Sequence, residues 1–145
     1  MKVQFVFLFL ILVCSTAKGQ SETVADETGL VKVSIMYPDG EGKHFDMDYY
    51  KTKHMPMVAG FLGSNLVKYT IEKGVASSVP NQPLPYVAIG TFYVKDLSAY
   101  QQAIAPNREA IRADIRKYTN IVPVIFISEL VEGEGEGGNR VIGNH

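Results

Sequence analysis

The chain is poor in the residues that carry out covalent and metal chemistry: one cysteine and three histidines among 145 residues. Its charge is also nearly balanced, with a formal net charge of −1. That balance excludes the strong basic excess of a dedicated nucleic-acid binder. No apolar run reaches the ~20 residues that a membrane-spanning helix needs. The histidines lack His-x-x-x-His or His-Glu-x-x-His spacing, so no metal motif exists. Gly-x-Gly-x-x-Gly after a strand, a P-loop and Gly-x-Ser-x-Gly are all absent, which removes support for nucleotide binding and for a serine-hydrolase elbow. At 46% hydrophobic and 20% charged, the composition is that of a globular protein, and the length suits one domain.

The first residues read as a targeting segment. Met1-Lys2 opens the chain, and Val3 to Val13 is apolar apart from Gln4. Small residues at Ala17 and Gly19 then predict signal cleavage between Gly19 and Gln20, hence export to the periplasm or beyond. A lipid anchor at Cys14 is the minor alternative, disfavoured by Val13 where a small residue belongs. Cleavage removes Lys2 and Lys18 and no acid, giving a mature charge of −3. It also removes the cysteine, so disulfides, thiolate metal sites and a cysteine nucleophile are excluded from the mature chain. Residues 20–29 and 132–145 are polar, acidic or rich in glycine and read as disordered flanks. The folded domain is expected at 30–131.

Within it, Leu30 to Tyr37 alternates as a strand ended by Pro38-Asp39-Gly40. Asp46 predicts an N-cap for a helix running to about His54, where Pro56 should kink or break it. Met57 to Leu62 continues as a helical turn stopped by Gly63. Leu66 to Ile71 and Tyr86 to Val94 read as strands around a long loop. Asp96 caps a second helical region, which carries Leu97, Tyr100 and Ile104 on one face and is punctuated by Pro106. Beyond the break Ile111, Ile115 and Tyr118 repeat the spacing. Ile121 to Val131 is a fourth strand. The order βαββαβ predicts an α+β ferredoxin-like fold, a four-stranded antiparallel sheet with two helices on one face. The fourth strand places Val122, Val124 and Phe126 on one side and Ile125 and Ile127 on the other. The third carries Val87, Ile89 and Phe92 across both faces. Two helices cover only one face, so a second copy is expected over the other, giving a homodimer.

His54 is the one histidine with chemical promise. It lies four residues after Tyr50, so the two share a helix face, and it could exchange protons near neutral pH. On residue chemistry alone, a helix-end histidine capping freed carbonyls is the plainer reading. His44 reads as solvated, and His145 lies on the tail.

His44-Phe45-Asp46-Met47-Asp48-Tyr49-Tyr50, then Lys53-His54-Met55-Pro56, resembles the first-helix motif of the EthD family. So do Pro85-Tyr86-Val87-Ala88-Ile89-Gly90 and the ending Asp114-Ile115, Tyr118-Thr119-Asn120-Ile121, Pro123-Val124. The resemblance spans the whole domain. It implies subunits that pair into dimeric α/β barrels and act on a small cyclic, aromatic or hydrophobic molecule as isomerase, dehydratase or reductase-type enzymes. It leaves the cofactor unknown. It maps the family's recurrent histidine and tyrosine onto His54 and Tyr50, as catalytic candidates. Phe45, Tyr49, Tyr86, Phe92, Asn107 and Tyr118 are the candidate substrate contacts. Asn107 stands where relatives often carry a second histidine. A non-catalytic periplasmic binder and a haem-handling barrel are the competing expectations.

Overall fold

The computed structural model describes residues 27–132. The predicted signal segment and most of both flanks lie outside the described residues. Strand β1 (Val31–Pro38) is followed by helix α1 (Met47–Tyr49), a π-helical turn (Tyr50–His54) and α2 (Met55–Leu62). Then come β2 (Leu66–Lys73), β3 (Tyr86–Val94), α3 (Leu97–Ile104), a 3-10 turn (Ala105–Asn107), α4 (Arg108–Tyr118) and β4 (Val124–Glu129). The strands form one antiparallel sheet in the order β2-β3-β1-β4. This is the expected ferredoxin-like arrangement.

Both helical regions begin where an aspartate accepts a free backbone N–H. Asp46 takes that of Tyr49 at 2.9 Å, and Asp96 takes that of Ala99 at 2.7 Å. Each such cap contributes about 1 kcal/mol. At Pro56 the first helix does not break, since the π-helical turn continues directly into α2. Instead the turn before it widens, so that the Met55 N–H bonds back to the Tyr50 carbonyl. The extra residue in the turn makes room for a ring that would otherwise crowd the preceding carbonyls. The helix then runs on until Gly63, whose φ of 53° suits a residue without Cβ.

Val33 and Tyr37 on β1 and Ala88, Phe92 and Val94 on β3 form the helix-facing side of the core, packed with Tyr50, Met55, Val58, Leu62 and Tyr118. The opposite side of the sheet is less apolar than the sequence suggested. Pairing places Ser34 beside Thr91 and Thr91 beside Thr70, and Ser34 and Thr91 share a hydrogen bond of 3.0 Å. Lys32 and Lys68 lie over the ring of Tyr93, and Lys68 also pairs with Glu27. Phe92 belongs wholly to the helix side. The uncovered apolar surface concentrates on β4, which is shorter than expected and leaves Ile121, Val122 and Pro123 outside it.

Candidate functional site: a buried histidine–aspartate pair

The loop after β1 is clasped to the end of α4. Asp46 N–H donates to the Tyr118 carbonyl at 2.8 Å, Thr119 Oγ1 donates to the His44 carbonyl at 2.7 Å, and Asn120 Oδ1 accepts the His44 N–H at 3.0 Å. His44 itself is exposed. This clasp brings Phe45 and the first helix against α4.

At that junction Tyr118 is the hub of an aromatic cluster. Its ring contacts those of His54 (4.7 Å between centroids), Tyr50 (5.3 Å), Phe45 (5.4 Å), Tyr49 (6.0 Å) and Tyr37 (6.1 Å). Tyr50 and His54 stack 5.7 Å apart across the π-helical turn. The Tyr37 and Tyr118 hydroxyls share a hydrogen bond of 2.7 Å. The Tyr50 hydroxyl is buried and makes none.

His54 is only 5% exposed. Its Nδ1 lies 2.8 Å from Asp114 Oδ2. The other carboxylate oxygen accepts the Tyr49 hydroxyl at 2.8 Å, and Lys117 Nζ lies 3.1 Å from it. Asp114 is thus a buried carboxylate with both oxygens engaged. Burial alone would raise its pKa, but the hydrogen bonds from His54, Tyr49 and Lys117 outweigh it and hold the group below its ordinary value. For His54 the balance falls the other way. Burial lowers its pKa and prevails over the hydrogen bond and charge of Asp114, which raise it. The imidazole is therefore neutral near pH 7. Its Nδ1–H donates to Asp114, which leaves the lone pair on Nε2. Among the described residues Nε2 makes no hydrogen bond. Burial also raises the pKa of Tyr37, Tyr50 and Tyr118, which stay protonated and can donate but not act as bases.

The signs of these shifts predict a pH dependence. Both depressed groups bind protons more readily in the unfolded chain, so both contribute stability at neutral pH that is lost on acidification. For His54 the loss begins as pH falls below about 6.5; for Asp114 it begins below about 4. Urea unfolding from pH 8 to 5 should show stability falling by up to about 1.4 kcal/mol per pH unit at the acid end. His54→Gln should flatten that limb, and an unchanged limb in the variant would assign it to another group.

Of the residues singled out in the sequence, the structure gathers His54, Tyr50, Tyr49, Phe45 and Tyr118. It does not bring the other three to the cluster. Phe92 packs near Tyr69 at 6.0 Å, Tyr86 pairs with Pro38 at the head of β3, and Asn107 Nδ2 donates to the Ala103 carbonyl. The Tyr49 hydroxyl donates to Asp114. Sequence reasoning overlooked Asp114 and Tyr37 as site residues. The signal for Asp114 was present: a carboxylate inside the buried stripe of Ile111, Ile115 and Tyr118 demands a partner. Among the described residues no group of three or more His, Cys, Asp and Glu side chains could hold a metal ion. An open depression lined by Arg112, Arg116, Asn120 and Val122 shares no residue with the cluster.

The fold and the cluster define a small ferredoxin-like α+β protein with a buried histidine held by a carboxylate. The EthD domain model matches residues 39–121, and the chain belongs to the EthD family. An EthD-like protein of known crystal structure from Ralstonia eutropha JMP134 is 41% identical, with a TM-score of 0.69. The match covers 74% of this chain and 96% of that one. An EthD family protein from Bacillus halodurans C-125 is 21% identical over 69% of this chain and 97% of its own, with a TM-score of 0.52, and is similar in fold. No curated protein matches the chain.

Proposed function

We propose that the chain is a small enzyme that moves a proton on a small cyclic, aromatic or hydrophobic compound, with His54 Nε2 as the base. One observation carries this reading: Nδ1 is anchored by an ionised, buried Asp114, while Nε2 is left unbonded within a shell of aromatic rings. A neutral imidazole oriented by a carboxylate is in the protonation state a general base needs. The neutral shell favours an uncharged or weakly acidic substrate, since a bound carboxylate would face Asp114 unpaired. Tyr50, with its free hydroxyl, is the donor for a substrate oxygen. Isomerisation and dehydration both begin with such a transfer. We propose further that the protein is exported, on the apolar run and small residues of its first 19 positions, and that it works as a homodimer, because β4 leaves apolar residues uncovered.

Hydrogen–deuterium exchange on carbon tests the chemistry even where the product is unidentified. The protein is incubated in D2O with lactones, cyclic ketones and hydroxylated aromatics, and deuterium uptake is counted by mass spectrometry. Exchange is expected at a carbon next to a carbonyl or ring oxygen, and should fall by about 10²–10⁴-fold in His54→Ala. Equal exchange in the variant would remove His54 from the mechanism. No exchange in any compound would favour a binding protein.

A further inference from the structure

Among the described residues, three ion pairs join helix residues three apart, and one of them is unlike the others. In Lys51–Asp48 and Arg112–Glu109 both partners lie in solvent. The side chain of Lys117 is also 60% exposed, but that of its partner Asp114 is 9% exposed. The ammonium lies 3.1 Å from Oδ1, while His54 Nδ1 lies 2.8 Å from the other oxygen, Oδ2. A single carboxylate thus stands between a solvated cation and a buried imidazole.

That placement decides how the buried charge is balanced. A carboxylate facing an imidazole alone favours the imidazolium, because a protonated ring would be its only counter-charge. A cation on Oδ1 balances the carboxylate without any proton coming onto His54. The Tyr49 hydroxyl, 2.8 Å from the same oxygen, adds a hydrogen bond but no charge. The other groups against the imidazole are neutral phenols. Tyr118 comes from α4 and Tyr50 from the π-helical turn, with Tyr37 of β1 bonded behind Tyr118. Among the described residues, Lys117 is the one permanent cation bonded to Asp114.

We propose that Lys117 is a positioning residue: from the surface it balances Asp114, so that His54 stays neutral, with its proton on Nδ1 and its lone pair on Nε2. This rests on the role proposed for His54 above. It makes an exposed side chain part of the chemistry of a buried one, and it gives the site a handle that reaches solvent. Loss of the charge at position 117 leaves Asp114 to draw a proton onto the ring, so the base is protonated at higher pH. A plain surface pair would do nothing of the kind, and its loss would touch stability alone.

Titration of histidine-labelled protein by nuclear magnetic resonance reads His54 directly, with its signal assigned from His54→Gln. Lys117→Met should raise the proton affinity of His54 by about threefold, the scale of an exposed ion pair. Lys117→Arg keeps the charge and should restore the wild-type value. Arg116→Met removes the same charge from the same turn of α4 without the contact to Asp114, and should leave His54 unmoved. An unmoved His54 in Lys117→Met would overturn the proposal. So would an equal shift in Arg116→Met, which would assign the effect to the overall charge at the helix end. The carbon-exchange assay keeps this apart from the role of His54. Where exchange is found, its acid limb should move up in pH with the titration in Lys117→Met, and a limb that stays put would remove Lys117 from the mechanism. A shifted titration with no exchange in any compound would uphold the action of Lys117 on His54 and withdraw only the base.

Discussion

Replacing Asp114 with alanine should cost about 3 kcal/mol of folding stability and most of any proton-transfer activity. Three donors, the Tyr49 hydroxyl, His54 Nδ1–H and the exposed Lys117 ammonium, would lose a shared charged acceptor, and the imidazole lies deep in the core. Stranding buried donors is more costly than the net value of the bonds they made. The alanine would also free the imidazole to adopt the other tautomer, which places the proton on Nε2. Asp114→Asn is the sharper probe. The amide keeps the volume and one acceptor oxygen, so the fold should survive with a smaller loss. Yet a neutral amide no longer holds Nδ1 protonated, and it adds donors where the Tyr49, His54 and Lys117 donors already point. Nitrogen chemical shifts of a labelled histidine report the tautomer directly, independently of any substrate. Wild type should show the proton on Nδ1, and Asp114→Asn should show a mixture or the reverse. An unaltered tautomer in the variant would mean that Asp114 is a packing residue and not a positioning one.

The second large effect is expected at Gly90, on the helix side of β3. A Cβ placed there would lie 1.9 Å from the Tyr50 hydroxyl oxygen and 3.1 Å from the ring carbon that bears it. The first distance is impossible, and the second is close enough to need only a small adjustment. Tyr50 cannot swing aside, because Tyr37, Phe45, His54 and Tyr118 surround its ring. Gly90→Ala should therefore destabilise by about 3 kcal/mol, at the upper end of overpacking costs. Tyr50→Phe removes the colliding oxygen, which is also a buried hydroxyl without a partner. Alone it should be neutral or stabilising by about 1 kcal/mol, while weakening catalysis if the hydroxyl serves a substrate. Combined, the two changes should recover most of the loss, a coupling that chemical denaturation measures as a double-mutant cycle. A double variant no more stable than Gly90→Ala would place the strain elsewhere.

The periodicity of the chain made most of the fold legible. Alternation on β1 and β3, the aspartates at 46 and 96, and the prolines at 56 and 106 each marked an element or its boundary. Two features were not legible, for the same reason. The polar row of Ser34, Thr91 and Thr70 depends on which strands become neighbours, and the pairing of His54 with Asp114 depends on which helix faces meet. Both are products of register between distant segments, and a single sequence encodes register only weakly. The π-helical turn shows a different limit. Proline predicts a disturbance but not its form, and here that form is a widened turn just before the ring. Half of the site was nonetheless readable: Tyr50 and His54 are near neighbours on one helix, and it is their long-range partners that were missing.

Those partners bear on the order in which the molecule acquires its chemistry. Sixty residues separate His54 from Asp114, 75 separate His44 from Thr119, and 81 separate Tyr37 from Tyr118. Contacts closing loops of that length form late, because the chain entropy of the whole span must be given up before any of them stabilises the fold. Until α4 has docked, the imidazole has no carboxylate and the tyrosines have no hub. On the export and the His54 role proposed above, a chain crossing a membrane unfolded would therefore be chemically silent throughout its passage, and the imidazole would gain its carboxylate only once α4 has docked.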